Sequence, residues 1–169
     1  MDLEKHFDAA RKSKTRLGVL NRILWSGIPF NKPHRLRITE LTEERTVIKI
    51  PYRRKNLNHL KGLHACVLAT GAEYASGLIL LQHLNPKNFR LIMQRMEVTY
   101  HYQGKMDATV NYELTKAQVD AEILQKLETV DKVAFTCHVE VHDKEGNHLC
   151  TSKVHWQIKK WSAVTVRTA

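Results

Sequence analysis

The chain contains one long apolar stretch, with shorter segments of alternating apolar and polar residues on both sides of it. Residues 58–84 contain no proline and are almost wholly apolar or small, with a polar lead-in and one carboxylate, Glu73, in the middle. The proline at position 86 cannot continue a helical hydrogen-bond ladder. The pattern predicts a buried helix over about 64–84. Its two glycines each weaken a helix by about 1 kcal/mol, so we expect a sheet to approach it closely.

The remaining segments follow mostly the period of β-strands. Residues 2–25 carry apolar positions at helical spacing opposite a basic face. This predicts an N-terminal helix packed on the domain, although such a helix also suits a membrane surface or an acidic partner. Alternating segments that are typical of strands occupy 35–41, 46–50, 89–102, 106–114, 132–141 and 148–159. A helical insert at 115–127 begins with the capping-box pair Thr115 and Gln118.

The order of these elements predicts the fold class. Four strand segments follow the long helix, and the last two flank a tight turn at 143–147, which predicts a hairpin. We therefore expect a largely antiparallel sheet and an α+β domain in which one long helix packs on one curved sheet. At 169 residues a single domain over 1–169 is expected, with its core at about 34–160.

Charge and cysteine content narrow the possible partners. The net charge of +10 favours anionic ligands, although an ordinary basic surface explains it equally well. Aromatic residues do not interleave with basic ones, so we expect no nucleic-acid partner. Three cysteines without close pairing, and no apolar signal core near the N-terminus, predict a reducing, cytoplasmic location. No metal site is expected, since no CxxC or zinc spacing occurs, and Glu73 argues against membrane insertion.

A short motif at the start of the long helix resembles that of a known family. Asn58, Gly62 and His64 are followed by a small residue and then by Glu73, nine residues after the histidine. This pattern resembles hotdog-fold acyl-CoA thioesterases of the phenylacetate-pathway and human-type branch, and an uncharacterised thioesterase-like branch. The resemblance implies a hotdog fold, with a long helix wrapped by five to six strands. It also implies hydrolysis of acyl-CoA or acyl-carrier thioesters in a homodimer or homotetramer, with no cofactor apart from the coenzyme A of the substrate.

Each motif residue has an expected role. The Ala65 N–H lies at the positive end of the helix and would stabilise the oxyanion of the thioester. Asn58 and His64 would orient the loop and the substrate, and Glu73 would be the general base or the nucleophile. Nine residues place Glu73 about 13 Å along the helix and on its opposite side from His64. A site that uses both therefore favours a two-fold dimer, as the family resemblance also implies.

Two further observations bear on this interpretation. Met93 stands where branch members carry a serine or threonine that supports the acid, with Gln94 beside it. This departure, and Ala65 where the family usually has glycine, keep open a non-catalytic acyl-CoA-binding or assembly domain. A separate interpretation of an acid in an apolar helix is a buried structural Glu73 paired with an arginine or lysine. Finally, the phosphates of coenzyme A would suit the basic residues around the motif. These residues are Arg53, Arg54, Lys55 and Lys61.

Overall fold

The computed structural model describes residues 3–164. The helices are α1 (Leu3–Lys12), α2 (Lys14–Gly27), α3 (Asn31–His34), α4 (Ala65–His83), α5 (Lys116–Val119) and α6 (Lys126–Thr129), with a π-helical turn at Asp120–Leu124 and single 3₁₀ turns at Arg54–Asn56 and Trp161–Ala163. The strands are β1 (Arg37–Leu41), β2 (Arg45–Ile50), β3 (Phe89–Tyr100), β4 (Ala108–Glu113), β5 (Lys132–Asp143) and β6 (His148–Lys160).

The strands form one six-stranded antiparallel sheet in the order β1-β2-β4-β5-β6-β3. The expected α+β class and the predicted strands are confirmed, and the β5–β6 hairpin forms as its turn predicted. The capping box is also present, since Thr115 and Gln118 bond reciprocally. One side chain in two along β5 and β6 is buried, which directs these residues into the core beneath α4.

Helix α4 is the centre of the core and contacts β2, β3, β4, β5 and β6. Its buried residues run on nearly all sides from Val67 to Leu80. Gly71 permits the closest approach, because a methyl group there would overlap with Ile50 and lie 3.3 Å from Val110. The small residues of this stretch therefore serve the close sheet contact that the sequence predicted. By length and composition α4 would pass as a membrane span, as many core helices do, and most of it is buried inside the domain.

The prediction of one N-terminal helix over 2–25 is wrong in one respect, because the segment forms two helices, α1 and α2. Ser13 is extended (φ −154°, ψ 129°) and separates α1 from α2. The seven-residue gap between the apolar positions Ala10 and Leu17 leaves no core contact to hold a straight helix across the break. Both residues are buried, so the predicted packing of the apolar stripe is confirmed.

The two edges of the sheet differ. At β1, the side chain of Asn21 accepts a hydrogen bond from the Ile38 N–H (2.7 Å) and donates one to the Ile38 carbonyl (3.0 Å), so α2 satisfies the edge backbone. At the other edge, the only strand within residues 3–164 that pairs with β3 is β6, and β3 exposes Ile92 (44%) and Met93 (41%). An open, partly apolar edge of twelve residues is the kind that another strand can extend.

Candidate active site

The loop before α4 is built around the side chain of Asn58. Its Oδ1 accepts hydrogen bonds from the N–H groups of Leu60 and Gly62, both at 3.0 Å. The backbone completes the loop, because the Asn58 N–H donates to the Gly62 carbonyl at 2.9 Å. Lys61 lies in the left-handed region (φ 58°) at the tip. Asn58 therefore stabilises the conformation of this loop. Gly62 is buried within the loop.

The side chain of His64 caps the start of α4, and this hydrogen bond determines which ring nitrogen carries the proton. Its Nδ1 accepts a hydrogen bond from the Cys66 N–H at 3.1 Å, so the proton of the neutral ring lies on Nε2. The His64 N–H donates to the Asn56 carbonyl at 2.8 Å. The next N–H, that of Ala65, has no acceptor within residues 3–164. The helix start thus presents one unpaired backbone donor beside an exposed imidazole N–H.

An open groove of about 440 Å³ borders this helix start. The Tyr100 hydroxyl at the end of β3 donates to the Ala65 carbonyl at 3.0 Å and closes one side. The groove is lined by Asn58, Leu60, Leu63, Ala65, Leu68, Tyr100, His101, Tyr102 and Gln103. Two of the predicted site residues, Asn58 and Ala65, are therefore brought together here.

Glu73 lines a different cavity, which is largely apolar and has a volume of about 430 Å³. Its walls are Ile28, Tyr74, Gly77, Leu78, Leu81, Pro86, Phe89, Arg90, Leu91, Trp156 and Trp161. Burial raises the pKa of the Glu73 carboxyl. Within the described part of the chain no cation lies at ion-pair distance from this carboxyl, so the structural pairing considered from the sequence does not occur there. A carboxyl in these surroundings holds its proton more tightly than an exposed one, which brings it closer to the range useful for a general base.

Trp156 is the main wall that the sequence analysis missed. Its Nε1 donates to the buried Ser76 hydroxyl at 3.1 Å, and Ser76 in turn donates to the Glu73 carbonyl at 3.1 Å. A methyl group on Gly77 would lie 3.0 Å from the Trp156 ring, so the helix and the indole are in close contact. The inward position of Trp156 in the alternation of β6 was the available signal.

Arg90 also lines the Glu73 cavity. It donates from Nη2 to the Gln157 amide oxygen at 3.3 Å, while its buried Nε has no partner within the described residues. The Tyr74 hydroxyl is likewise buried without a partner, and burial together with the nearby charge of Glu73 raises its pKa. The cavity is therefore apolar with a few unpaired polar groups, as is typical of small-molecule sites.

Met93 lies on the exposed edge of β3, where the register of the β3–β6 pair shifts between Met93 and Arg95. Gln94 occupies this bulge and is also exposed. No described serine or threonine hydroxyl bonds the carboxylate of Glu73, since Ser76 contacts its backbone carbonyl only.

The basic residues near the motif divide into two groups. Arg53 and Lys55 line a groove of about 310 Å³ together with Lys32, Pro33 and Arg35. Arg54 and Lys61 do not line it. Lys32 and Arg35 were not recognised from the sequence because they lie about twenty positions before Arg53. The groove therefore gathers four cations from two separate segments.

Asn56 joins this basic groove to the helix start. Its buried side-chain amide donates to the backbone carbonyls of His34 (2.9 Å) and Pro51 (2.8 Å). The backbone carbonyl of Asn56 accepts a hydrogen bond from the His64 N–H. The side chain and the backbone carbonyl of Asn56 together fix the position of the segment that carries Arg53 relative to α4.

The groove at Ala65 and the cavity at Glu73 share no lining residue. Eight residues of α4 separate Ala65 from Glu73, a rise of about 12 Å. Within one chain the structure does not bring the two halves of the predicted site together.

Comparison with known proteins identifies the family. Residues 18–158 match the model of a family described as "Domain of unknown function (DUF4442)". The chain belongs to this family. No curated protein matches the sequence of this DUF4442 chain significantly.

Solved structures share the fold of the DUF4442 chain. A probable thioesterase from Pseudomonas aeruginosa, PA5026, is 22% identical with a TM-score of 0.77, covering 85% of this chain and 95% of that one. Thioesterase HI1161 from Haemophilus influenzae is 13% identical with a TM-score of 0.66, covering 90% and 94%. Thioesterase SAV0944 from Staphylococcus aureus is 13% identical with a TM-score of 0.62, covering 78% and 98%. At these identities the likeness establishes the fold, and it confirms the predicted hotdog architecture.

Proposed function

We propose that the chain hydrolyses acyl-CoA or acyl-carrier thioesters in a site that a second copy of the chain completes. The observation that carries the proposal is the Glu73 carboxyl in an apolar cavity, on the same helix whose first N–H is that of Ala65. Neither group has a partner among residues 3–164. The thioesterase names of several structural neighbours agree with it.

The chemistry needs a base and an oxyanion donor on opposite sides of one carbonyl. Glu73 takes a proton from water as the water oxygen bonds to the thioester carbon. The Ala65 N–H, at the positive end of the α4 dipole, stabilises the negative charge on the carbonyl oxygen. The tetrahedral intermediate then collapses, the C–S bond breaks, and the thiolate leaves and takes up the proton, which yields a carboxylic acid and a free thiol.

A second copy supplies the missing half of each site. The edge strand β3 is twelve residues long and exposes Ile92 and Met93, so pairing between two β3 edges would satisfy the backbone and cover both side chains. Such a dimer is two-fold symmetric and contains two equivalent sites. Each site joins Ala65 and His64 of one copy to Glu73 of the other.

The basic groove offers a place for the phosphates of coenzyme A. Lys32, Arg35, Arg53 and Lys55 line it, and Asn56 fixes it next to the helix start. Arg54 and Lys61 lie close to this groove in sequence and add to the local positive charge. All three cysteines are free, which is consistent with a cytoplasmic location.

The test is release of free thiol from short, long and aromatic acyl-CoAs by the wild type and by three variants. Glu73→Gln removes the base and is expected to lower kcat about 10²–10⁴-fold. Ala65→Pro removes the N–H, and we expect a loss of about 10²–10³-fold. Proline suits the first position of a helix, and His64 at φ −67° and ψ 138° already has the conformation favoured before proline. Ala65→Val is the matched control, because it adds bulk and keeps the donor.

Complementation tests the shared site. When Ala65→Pro and Glu73→Gln chains are co-expressed in equal amounts, about half of the dimers are mixed, and each mixed dimer has one intact site, so about a quarter of wild-type activity returns. Co-expression of Glu73→Gln with the double variant leaves no intact site and serves as the control. Full activity in a stable monomer, or no recovery in the mixture, would refute the shared site.

A non-catalytic acyl-CoA-binding or assembly domain is the second candidate. It is favoured by Met93, since no described hydroxyl supports the Glu73 carboxylate. Saturable binding of acyl-CoA without thiol release from any member of the panel would establish this candidate and exclude hydrolysis.

A further inference from the structure

Three imidazole rings and a carboxylate gather at the turn end of the β5–β6 hairpin. The register pairs His142 directly with His148 across the hairpin, and Glu140 lies two residues before His142 on the same face of β5. The rings of His142 and His148 are stacked, with centroids 4.7 Å apart, and the ring of His101 lies 4.4 Å from that of His148. The neighbouring residues Val139 and Val141 point into the core, so the cluster is on the outer face of the sheet.

The spacing of the donor atoms suits a metal ion. Glu140, His142 and His148 each offer one ligand atom, and these atoms lie within 4.8 Å of one another. Glu140 Oε2 and His142 Nε2 are 3.7 Å apart. Tetrahedral zinc with bonds of about 2.0–2.2 Å holds its ligands roughly 3.3–3.5 Å apart, so side-chain movements of about 1 Å close the site. All three residues are at least partly exposed, and an ion can reach them.

Hydrogen bonds outside the cluster prepare His148 for this role. Its Nε2 lies 3.1 Å from the Cys150 carbonyl, to which it donates, so that the lone pair of the neutral ring is on Nδ1. The Thr151 hydroxyl lies 3.1 Å from the same Nε2 and 3.0 Å from His101 Nε2. A ring N–H held by a backbone carbonyl is the usual support of a metal-bound histidine.

The hairpin turn holds the two strands rigidly. Asp143 Oδ1 accepts hydrogen bonds from the N–H groups of Glu145 and Asn147, both at 3.0 Å, and its Oδ2 accepts one from the Asn147 side chain at 2.9 Å. His142 and His148 directly flank this turn. The separation of the ligands is therefore set by the fold before any ion binds, which lowers the cost of forming the site.

We propose that Glu140, His142 and His148 bind one divalent transition-metal ion of the Zn²⁺ type, with a position left open to water. Imidazole and carboxylate ligands together suit zinc, and three protein ligands with an open position form a known zinc arrangement. The site is distinct from the Glu73 cavity and independent of the proposed hydrolysis. It departs from the expectation of no metal, which sought CxxC and zinc-finger spacings. The signal in the sequence was a Glu-x-His on one strand face, with a histidine across the turn.

The test is a calorimetric titration of the full-length, tag-free protein with Zn²⁺. The melting temperature of each variant is measured in parallel. We expect one Zn²⁺ per chain and a melting temperature that rises with zinc concentration. Loss of a ligand in His148→Asn or Glu140→Gln is expected to weaken binding at least about 100-fold, and loss of the outer hydroxyl in Thr151→Val about 10-fold. Because zinc binds only deprotonated ligands, binding is expected to weaken in acid solution.

His138→Gln is the matched control, since His138 is exposed on the same strand two residues before Glu140 and is outside the cluster. It should bind zinc as the wild type does. The zinc-free melting temperatures of the ligand variants should match that of the wild type, which separates loss of binding from loss of fold. Absence of saturable zinc binding, or equal weakening by His138→Gln and His148→Asn, would overturn the proposal.

Discussion

Replacing Gly71 by alanine tests the close contact between α4 and the sheet. The new methyl group would overlap with Ile50 Cδ1, and it would lie 3.0 Å from Ile50 Cγ1 and 3.3 Å from Val110 Cγ2. Unstrained carbon contacts are about 3.5–4.0 Å, so the isoleucine must move by about 1 Å. Ile50 and Val110 are both fully buried. Overpacking of this kind costs about 1–3 kcal/mol.

The helix itself gains from the same substitution. Alanine is better than glycine in a helix interior by about 1 kcal/mol, so the net loss for Gly71→Ala is about 0–2 kcal/mol. Gly18→Ala in α2 is the control, because a methyl group there meets nothing within 4 Å. The two free energies of unfolding, measured in urea at one protein concentration, should differ by about 1–3 kcal/mol. Equal stabilisation by both substitutions would show that the contact at Gly71 is not close.

The remaining predictions concern a charge, an edge and a cavity wall. Because burial raises the pKa of Glu73, the folded chain holds that proton more tightly than the unfolded one, so stability falls as pH rises from the unfolded-state pKa to the folded-state pKa. Glu73→Gln should therefore be more stable than the wild type near neutral pH and equal to it in acid, as measured by urea unfolding across pH. Asn21→Ala leaves both backbone groups of Ile38 without this partner, and we expect a loss of about 1–3 kcal/mol in thermal or urea unfolding. Trp156→Phe removes the bond to Ser76, which should cost about 1 kcal/mol and shift thiol release towards bulkier acyl groups.

Each of these three predictions would be contradicted by a specific result. If the exposed Glu43→Gln changes the pH dependence as much as Glu73→Gln does, the effect does not come from burial. If Asn21→Ala unfolds like the wild type, α2 does not satisfy the β1 edge. An acyl-CoA profile unchanged by Trp156→Phe would place the acyl group outside the Glu73 cavity.

Much of the fold followed from periodicity. The long apolar stretch around Glu73, the alternating strands and the turn at 143–147 all formed where the pattern placed them. These features are local, since each depends on side chains within one turn or one hairpin. The break at Ser13 was missed because nothing in its own identity forbids a helix, and Ala10 and Leu17, seven positions apart, keep helical spacing across it.

The candidate site was less accessible to this reasoning. Asn58, Ala65 and Glu73 could be named from a motif, but their separation into two cavities depends on how β3 and β6 pack against α4. The wall formed by Trp156 depends on the register of β6, which places this residue against Ser76 of α4, eighty positions away in the chain. Register is fixed by the whole buried face of a sheet, so a short motif does not reveal it.

Strand β3 borders both cavities, with Phe89, Arg90 and Leu91 at one end and Tyr100 at the other. Side chains on a strand alternate between faces, so inserting or deleting one residue between these ends would turn one set outward and leave the other in place. Evolution can therefore vary this strand by substitution far more easily than by changes in length. The helical insert at α5 and α6 is not paired in the sheet, so length differences among relatives should accumulate there and not in β3.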